Sequence, residues 1–345
     1  MSRCFNRFVA FMLTPLIAAG TVITVSAQTV ESEADAYNEP QCAAVTQSGE
    51  TEKFKLDSEV LYETPDEYYQ GKLVQPSGDG DNSATDQNGN IGDLTWSFDA
   101  SSKTLTVSGE GELIRDTDID NQWKSMEIDK LVVEDGVTAV GNQSFVRMSV
   151  KEISLPDTLT TIDYHAFGGC EYLESISIPD SVTDLGKGAF AYCSSLNSVK
   201  LPSKIESIKD DTFYDCTSLK SITLPKSVTS IGESAFKNCT DLSEVNILGD
   251  ITVIGDAAFN YCTSLESITL PHSVTTIDGW AFCNCAIKSI DLPNSVTKMG
   301  NGAFSYCNNL TEFVFPPDLT VIPEETLGYC HNLTSVTIPE GVTKI

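Results

Sequence analysis

Cysteine side chains hold most of the reactive chemistry in this sequence, because a thiol can act as a nucleophile, bind zinc or form a disulfide. Eight of the 11 cysteines recur at intervals of 23 residues, with one interval of 22: Cys170, Cys193, Cys216, Cys239, Cys262, Cys285, Cys307 and Cys330. A fixed period of this length is typical of a solenoid, in which each repeat stacks on its neighbours. Equivalent positions favour a structural role, since a catalytic site needs unlike residues that converge on one cleft.

Disulfides and a reduced ladder are the two alternatives for these eight cysteines. Secretion would favour disulfides, but all eight occupy the same inward-facing slot of the repeat, where a free cysteine packs well as a small apolar side chain. We therefore predict a reduced structural ladder in the core. Cys42 and Cys283 lie outside the ladder, and the sequence leaves open whether they pair.

The other residues that could do chemistry do not form a site. His165, His272 and His331 occupy different repeat positions in separated repeats, so we predict that they are scattered over the surface. Cys283 and Cys285 form a Cys-x-Cys pair, but zinc would need at least two further ligands nearby. The sequence therefore predicts no catalytic residue, no cofactor and no metal site.

One short pattern surrounds each cysteine. In the copy that ends at Cys239, the alternation at 222–224 predicts a short strand, which Pro225 ends because it lacks an N–H group. A second strand is expected over 228–231, followed by a turn at Gly232 and one helical turn before the cysteine. Copies begin near Ile128, Val150, Leu173, Leu196, Leu219, Leu242, Leu265, Ile287, Leu310 and Leu333. A phenylalanine spine is predicted from Phe145, Phe167, Phe190, Phe213, Phe236, Phe259, Phe282 and Phe304, closing with Leu327.

The full pattern is Leu-x-x-Ile-x-Leu-Pro-x-x-Val-Thr-x-Ile-Gly-x-x-Ala-Phe-x-x-Cys, and it recurs about nine times. It resembles the BspA-type leucine-rich repeat family, also called the Treponema pallidum type, over residues 128–345. The resemblance implies a leucine-rich repeat solenoid, mostly β, with short parallel strands. It also implies a secreted or surface-displayed protein, as known members are, and several of those members bind host proteins or other cells.

Three segments precede the repeats. Residues 1–27 have a basic start, an apolar run and a small-residue cleavage site at 25–27, as a signal peptide does; a retained anchor is the alternative. Residues 28–90 carry 14 acidic and 3 basic residues and are predicted to be a mostly disordered linker. Residues 91–127 contain two alternating segments, which predict a β-hairpin that caps the solenoid with Trp96 and Trp123. The sequence stops at Ile345 midway through a repeat, so we expect the protein to continue.

The net charge of −28 limits the classes of partner. Such an excess of carboxylates disfavours nucleic acid and anionic membranes. We predict no nucleic-acid partner and no membrane insertion after signal cleavage. The charge itself has two explanations, solubility outside the cell or a dedicated cation-binding role.

Two outward stripes are candidate binding surfaces. Tyrosines directly before the ladder cysteine form the first: Tyr192, Tyr261, Tyr306 and Tyr329. Outward residues of the first strand form a ribbon rich in serine and threonine: Ser175, Ser177, Ser198, Lys200, Ser221, Thr223, Glu244, Asn246, Ser267, Thr269, Ser289 and Asp291. Tyrosine suits recognition surfaces, and solenoids often bind along a sheet face. The alternative is that both stripes are repeat consensus, kept for strand propensity and packing.

Three functions fit this sequence. The first is an adhesin-like module that binds an extracellular protein along its repeats. The second is a targeting module of a larger extracellular enzyme, and the third is a structural surface-layer component. A catalytic domain beyond Ile345 would favour the second, and ordered self-assembly would favour the third. The sequence does not identify the ligand, the oligomeric state or the mode of surface attachment.

Overall fold

The computed structural model describes residues 23–26, 85–114, 123 and 126–345, and within them the regular structure is entirely β. The strands are β1 Ile23–Ser26, β2 Gln87–Ile91, β3 Leu94–Asp99, β4 Thr104–Gly109, β5 Gly111–Leu113, β6 Lys130–Val133, β7 Val137–Val140, β8 Glu152–Ser154, β9 Thr161–Ile162, β10 Ser175–Ser177, β11 Asp184–Leu185, β12 Ser198–Lys200, β13 Ser207–Ile208, β14 Ser221–Leu224, β15 Ser230–Ile231, β16 Glu244–Ile247, β17 Val253–Ile254, β18 Thr276–Ile277, β19 Lys298–Met299, β20 Glu312–Val314 and β21 Ser335–Ile338.

The repeats stack as a β-solenoid, which confirms the predicted fold class. Equivalent strands of successive repeats pair in parallel, as β14 and β16 do with Ile222 opposite Val245. The second strands of five repeats, β13, β15, β17, β18 and β19, form a continuous parallel sheet. Partners in most pairs lie 23 residues apart, so the cysteine period corresponds to one turn of the solenoid.

Three local details differ from the predictions. The copies beginning at Leu265 and Ile287 form no first strand, and the loop from Cys285 to Ile287 is one residue shorter than its counterparts. The second strand of the copy ending at Cys239 spans only Ser230–Ile231. The predicted helical turn before Cys239 is absent. The N–H groups of Ser234, Phe236 and Asn238 donate to the next turn of the solenoid, and only the alternate groups, those of Lys237 and Cys239, donate within their own turn.

The phenylalanine spine is present as predicted. From Phe145 to Phe304 the rings stack in sequence, with centroids 5.2–5.8 Å apart and interplanar angles of 5–13°. All eight rings are fully buried, and Leu327 ends the column. Each aromatic pair adds about 0.5–1.5 kcal/mol to its area burial, so stabilisation accumulates only when repeats stack.

The eight ladder cysteines lie beside this spine. Each thiol donates a weak hydrogen bond to the carbonyl oxygen of the phenylalanine in the preceding turn, at 3.1–3.3 Å. Burial raises the pKa of Cys170 to about 12, so its thiol stays protonated. All nine cysteines in the described residues are free. Cys283 is one of these nine free cysteines, and Cys42, the partner considered for it, lies outside the described residues.

The predicted N-terminal hairpin is present and has an additional strand. β3 pairs antiparallel with β4, and β2 pairs antiparallel with β3 from the other side. β4 then pairs in parallel with β6, which joins the hairpin to the solenoid. Trp96 contacts Trp123 at 5.9 Å, and Trp123 contacts Phe145 at 5.6 Å. The cap therefore extends the phenylalanine spine through two tryptophans.

A short segment near the N-terminus pairs with the last strand. β1 lies antiparallel to β21, with Ile23 opposite Ile338 and Ser26 opposite Ser335. The other residues of the predicted signal peptide, and the acidic segment as far as residue 84, lie outside the described residues. The signal peptide and the linker therefore stay predictions.

Candidate binding face

Each turn that ends at a ladder cysteine contains two residues with left-handed backbone. One lies five residues before the cysteine and the other directly before it, as with φ of 52° at Ser234 and 62° at Asn238. The N–H groups of these two residues donate to Asp256 and Asn260 of the next turn, both at 2.8 Å. A left-handed residue other than glycine costs about 1–2 kcal/mol, and these hydrogen bonds between turns offset that cost.

The four predicted tyrosines all occupy the second left-handed position. Their φ values are 62° at Tyr192, 61° at Tyr261 and 59° at both Tyr306 and Tyr329. Tyr261 is 48% exposed and Tyr306 is 40% exposed, whereas Tyr192 and Tyr329 are half-buried. The structure therefore presents two of the four rings openly to solvent.

Tyr306 and Tyr329 form one aromatic surface. Their rings are stacked at 4.4 Å with an interplanar angle of 7°. Burial raises the pKa of Tyr306, and Tyr329, Cys283 and Glu325 add to the rise. The hydroxyl therefore stays protonated at neutral pH, beside a carboxylate. We call the surface that contains Tyr261, Tyr306 and Tyr329 the tyrosine face. It comprises four consecutive turn segments, residues 256–261, 279–284, 301–306 and 324–329.

Tyr192 belongs to a separate group. It contacts Tyr214 at 5.0 Å with an interplanar angle of 57°. Asp215 and Asn238 occupy the corresponding positions of the two repeats that separate Tyr192 from Tyr261. The structure thus brings three of the four predicted tyrosines into one face and leaves the fourth outside it.

Carboxylates line the same side of the turns. Burial raises the pKa of Asp211 to about 6, and Glu233 and Asp210 add to the rise while Lys237 opposes it. Burial also raises the pKa of Asp256, again with a contribution from Glu233. The carboxylates of successive turns are therefore close enough to repel one another.

All twelve residues of the predicted ribbon are exposed. Ser175, Ser177, Ser221 and Thr223 are strand residues, whereas Ser267 and Thr269 belong to a copy without a first strand. A shallow groove of about 740 Å³ runs beside Ser177 and Lys200. The ribbon is an accessible surface, with a backbone that is less regular than expected.

The prediction that all three histidines lie on the surface is wrong for His165, which is only 6% exposed. Its ring fits over Gly188 of the next turn, where an added Cβ would lie 2.3 Å from its Cε1 atom. Burial lowers the pKa of His165 to about 4. His272 and His331 are exposed. Trp280 lies over Gly302 as His165 lies over Gly188, and a Cβ added at Gly302 would lie 2.7 Å from the Nε1 atom of Trp280.

The described part of the chain has neither a candidate metal site nor a candidate membrane-spanning helix. No group of three or more histidine, cysteine, aspartate or glutamate side chains there could hold a metal ion. Within the same residues, no helix has both the length and the apolar character that crossing a membrane requires.

The repeat geometry corresponds to a known sequence family. The family model for the BspA type leucine-rich repeat region matches residues 119–243 and 229–345, and it contains six repeat copies. The two matches together span most of the chain. This protein belongs to the BspA-type leucine-rich repeat family.

Solved structures of other bacterial repeat proteins are similar to this BspA-type protein. A leucine-rich cell surface protein from Faecalibacterium prausnitzii is 23% identical with a TM-score of 0.46, and the match covers 75% of this chain and 90% of that one. A Eubacterium ventriosum leucine-rich repeat protein is 20% identical with a TM-score of 0.45, covering 72% and 77%. The T. pallidum leucine-rich repeat protein is 23% identical with a TM-score of 0.44, covering 65% and 91%. No curated protein matched the sequence.

Sequence reasoning missed the two left-handed positions of this BspA-type repeat. The signal was present directly before the cysteines, where Gly169, Asp215, Asn238 and Asn284 are residue types that tolerate positive φ.

Proposed function

We propose that this protein is a secreted or cell-surface protein-binding module, adhesin-like in its action, which presents an extended repeat face to a host or neighbouring-cell protein. The observation that carries the proposal is the exposure of Tyr261 and Tyr306 on turns held by inter-turn hydrogen bonds. A tyrosine buries a large area on binding and loses little conformational entropy. A rigid backbone lowers the entropic cost of binding further.

Two observations support an extracellular location. The N-terminal residues 1–27 have the pattern of an exported leader. The acidic segment 28–90 would then act as a spacer before the cap, since its composition favours a solvated chain. Membership of the BspA-type family agrees with display outside the cell.

The proposed role is binding without catalysis. The ladder thiols are buried and protonated, so they are poor nucleophiles. A stacked repeat places similar residues at each turn, which suits multivalent contact with one long partner. The ribbon residues offer a second accessible surface for the same function, with exposed hydroxyls at Ser221 and Thr223.

A binding panel tests the proposal. The purified full chain is titrated at physiological salt against immobilised matrix proteins, mucin and polysaccharides. We expect saturable binding to at least one protein ligand. The double variant Tyr261→Ala, Tyr306→Ala is expected to weaken it by about 30- to 1000-fold, because buried interface tyrosines contribute about 1–2 kcal/mol each. Tyr172→Ala is the matched control, since Tyr172 is 46% exposed and lies after a ladder cysteine.

The other outcomes identify other functions. Binding to polysaccharide alone would indicate a targeting module of a larger extracellular enzyme. Ordered self-assembly at micromolar concentration would indicate a structural surface-layer component. A folded, monodisperse sample that binds no protein in the panel would contradict the adhesin-like function.

A further inference from the structure

The turns of this protein already contain one cation placed against an aromatic ring. Lys237 Nζ lies 5.5 Å from the centroid of the Tyr214 ring in the preceding turn. The charge of Lys237 also acts to lower the pKa of both Asp211 and Asp256, whereas burial and neighbouring carboxylates raise it. A lysine therefore sits beside an aromatic face and among carboxylates, an arrangement that stabilises a positive charge from two directions.

The tyrosine face has aromatic rings and carboxylates of its own, but its tyrosines lie directly before a ladder cysteine, whereas Tyr214 lies two residues before Cys216. Its four segments contain four aromatic residues other than phenylalanine, Tyr261, Trp280, Tyr306 and Tyr329. They also contain Asp256, Glu324 and Glu325, and they contain no lysine, arginine or histidine. Both glutamates are exposed, and Glu325 is close enough to contribute to the raised pKa of Tyr306.

We propose that the tyrosine face binds a basic segment of a partner protein, whose arginine or lysine side chains contact its exposed rings as Lys237 contacts the ring of Tyr214. This inference rests on the proposed binding function and names the chemistry of its partner. An arginine is favoured, because its planar guanidinium stacks on a tyrosine ring and pairs with a carboxylate at the same time. The net charge of −28 would also speed the approach of a basic partner.

The spacing of the turns sets the spacing of the cations. Tyr261 and Tyr306 are separated by two turns of the solenoid, or roughly 10 Å at a strand separation of about 4.8 Å. A peptide in the polyproline II conformation covers this distance in about three residues, at roughly 3.1 Å per residue, and its three residues per turn place positions i and i+3 on the same side. The face therefore fits a segment with arginines at positions i and i+3.

Fluorescence anisotropy with a labelled peptide tests the inference. The peptide has three arginines at this spacing in a glycine–serine background, and its control replaces each arginine by citrulline, which keeps the shape and removes the charge. We expect saturable binding of the arginine peptide to the full chain and none of the citrulline peptide. Tyr261→Ala with Tyr306→Ala is expected to weaken binding by about tenfold, and Tyr172→Ala is expected to leave it unchanged.

A conservative pair of substitutions separates ring chemistry from folding. Tyr261→Phe with Tyr306→Phe keeps both ring faces, so it should retain most of the affinity. Equal binding of the arginine peptide to the wild type and to the double alanine variant would overturn the inference, because attraction to a protein of charge −28 needs no specific face. Absence of saturable binding to the wild type would overturn it as well.

The two proposals fail differently. If a protein from the panel binds through Tyr261 and Tyr306 but the arginine peptide does not compete with it, the cation inference is wrong and the binding function stands. If no protein from the panel binds, the binding function itself is wrong.

Discussion

Among the carboxylates of the turns, Asp211 has a markedly raised pKa. Burial raises its pKa from 3.8 to about 6, and Glu233 and Asp210 act in the same direction. The folded state therefore favours the neutral acid. Stability is unaffected below pH 3.8, falls as the pH rises from there to about 6, and stays reduced above that, because only the unfolded state ionises freely in this window.

Asp211→Asn should therefore stabilise the protein in a pH-dependent manner. At pH 7.5 we expect a gain of about 1 kcal/mol in the free energy of unfolding, after allowance for solvent screening of a partly exposed group. Below pH 3.8 this pH-dependent gain should vanish. Thermal melts of the wild type and the variant across pH 3.5–7.5 measure it. A stability difference that is constant over this range would show that the pKa of Asp211 is not raised. Any effect of asparagine on the left-handed backbone would be the same at every pH.

The residue scale also shows where sequence reasoning stopped. The cysteine ladder and the phenylalanine spine were predictable because identical side chains recur at one period. The burial of His165 was not, since it depends on the missing side chain of Gly188 in the next turn. A pair that is 23 residues apart in sequence carries no local signal.

At the scale of the element, each turn must fit the turns beside it at the position five residues before the ladder cysteine. The residues at this position of successive turns form a column. Two large rings in this column, His165 and Trp280, are each followed one turn later by glycine. Ala257 occupies the same column with φ of 51° and follows a serine. The backbone therefore accepts a Cβ here when the preceding residue is small, and the glycines are required by the rings.

A double-mutant cycle tests this coupling. Gly188→Ala should destabilise the protein by about 2–3 kcal/mol, from the left-handed backbone and from the clash with the His165 ring. In the His165→Ala background the same change should cost only about 1 kcal/mol, because the clash is gone. Denaturant unfolding of the four proteins gives the coupling energy. A cost of Gly188→Ala that is equal in both backgrounds would contradict the ring-over-glycine account.

The strands of the repeat were easier to predict than its turns. Alternation and Pro225 identified the first strand of the copy ending at Cys239, and the structure has it at Ser221–Leu224. The helical turn expected before that cysteine was wrong, because every second N–H group of the segment donates to the next turn of the solenoid. Such bonds are set by stacking, which a single repeat does not encode.

At the scale of the whole molecule, the stacking of the repeats brings residues that are distant in the sequence into one surface. Tyr261 and Tyr306 are 45 positions apart in the chain, yet the solenoid brings them to about 10 Å. The family and the fold follow from the repeat alone. The exposure of each stripe and the charges beside it required the structure.

Hydroxyl-radical footprinting tests the central claim, that the tyrosine face is the binding surface, most directly. The oxidation rate of each tyrosine is measured by mass spectrometry with and without a saturating protein ligand from the panel. We predict that Tyr261 and Tyr306 are protected severalfold, because their exposed rings are covered in the complex. Tyr172 should react at an unchanged rate. Unchanged oxidation of Tyr261 and Tyr306 at saturation would contradict the account and place the ligand elsewhere on the solenoid.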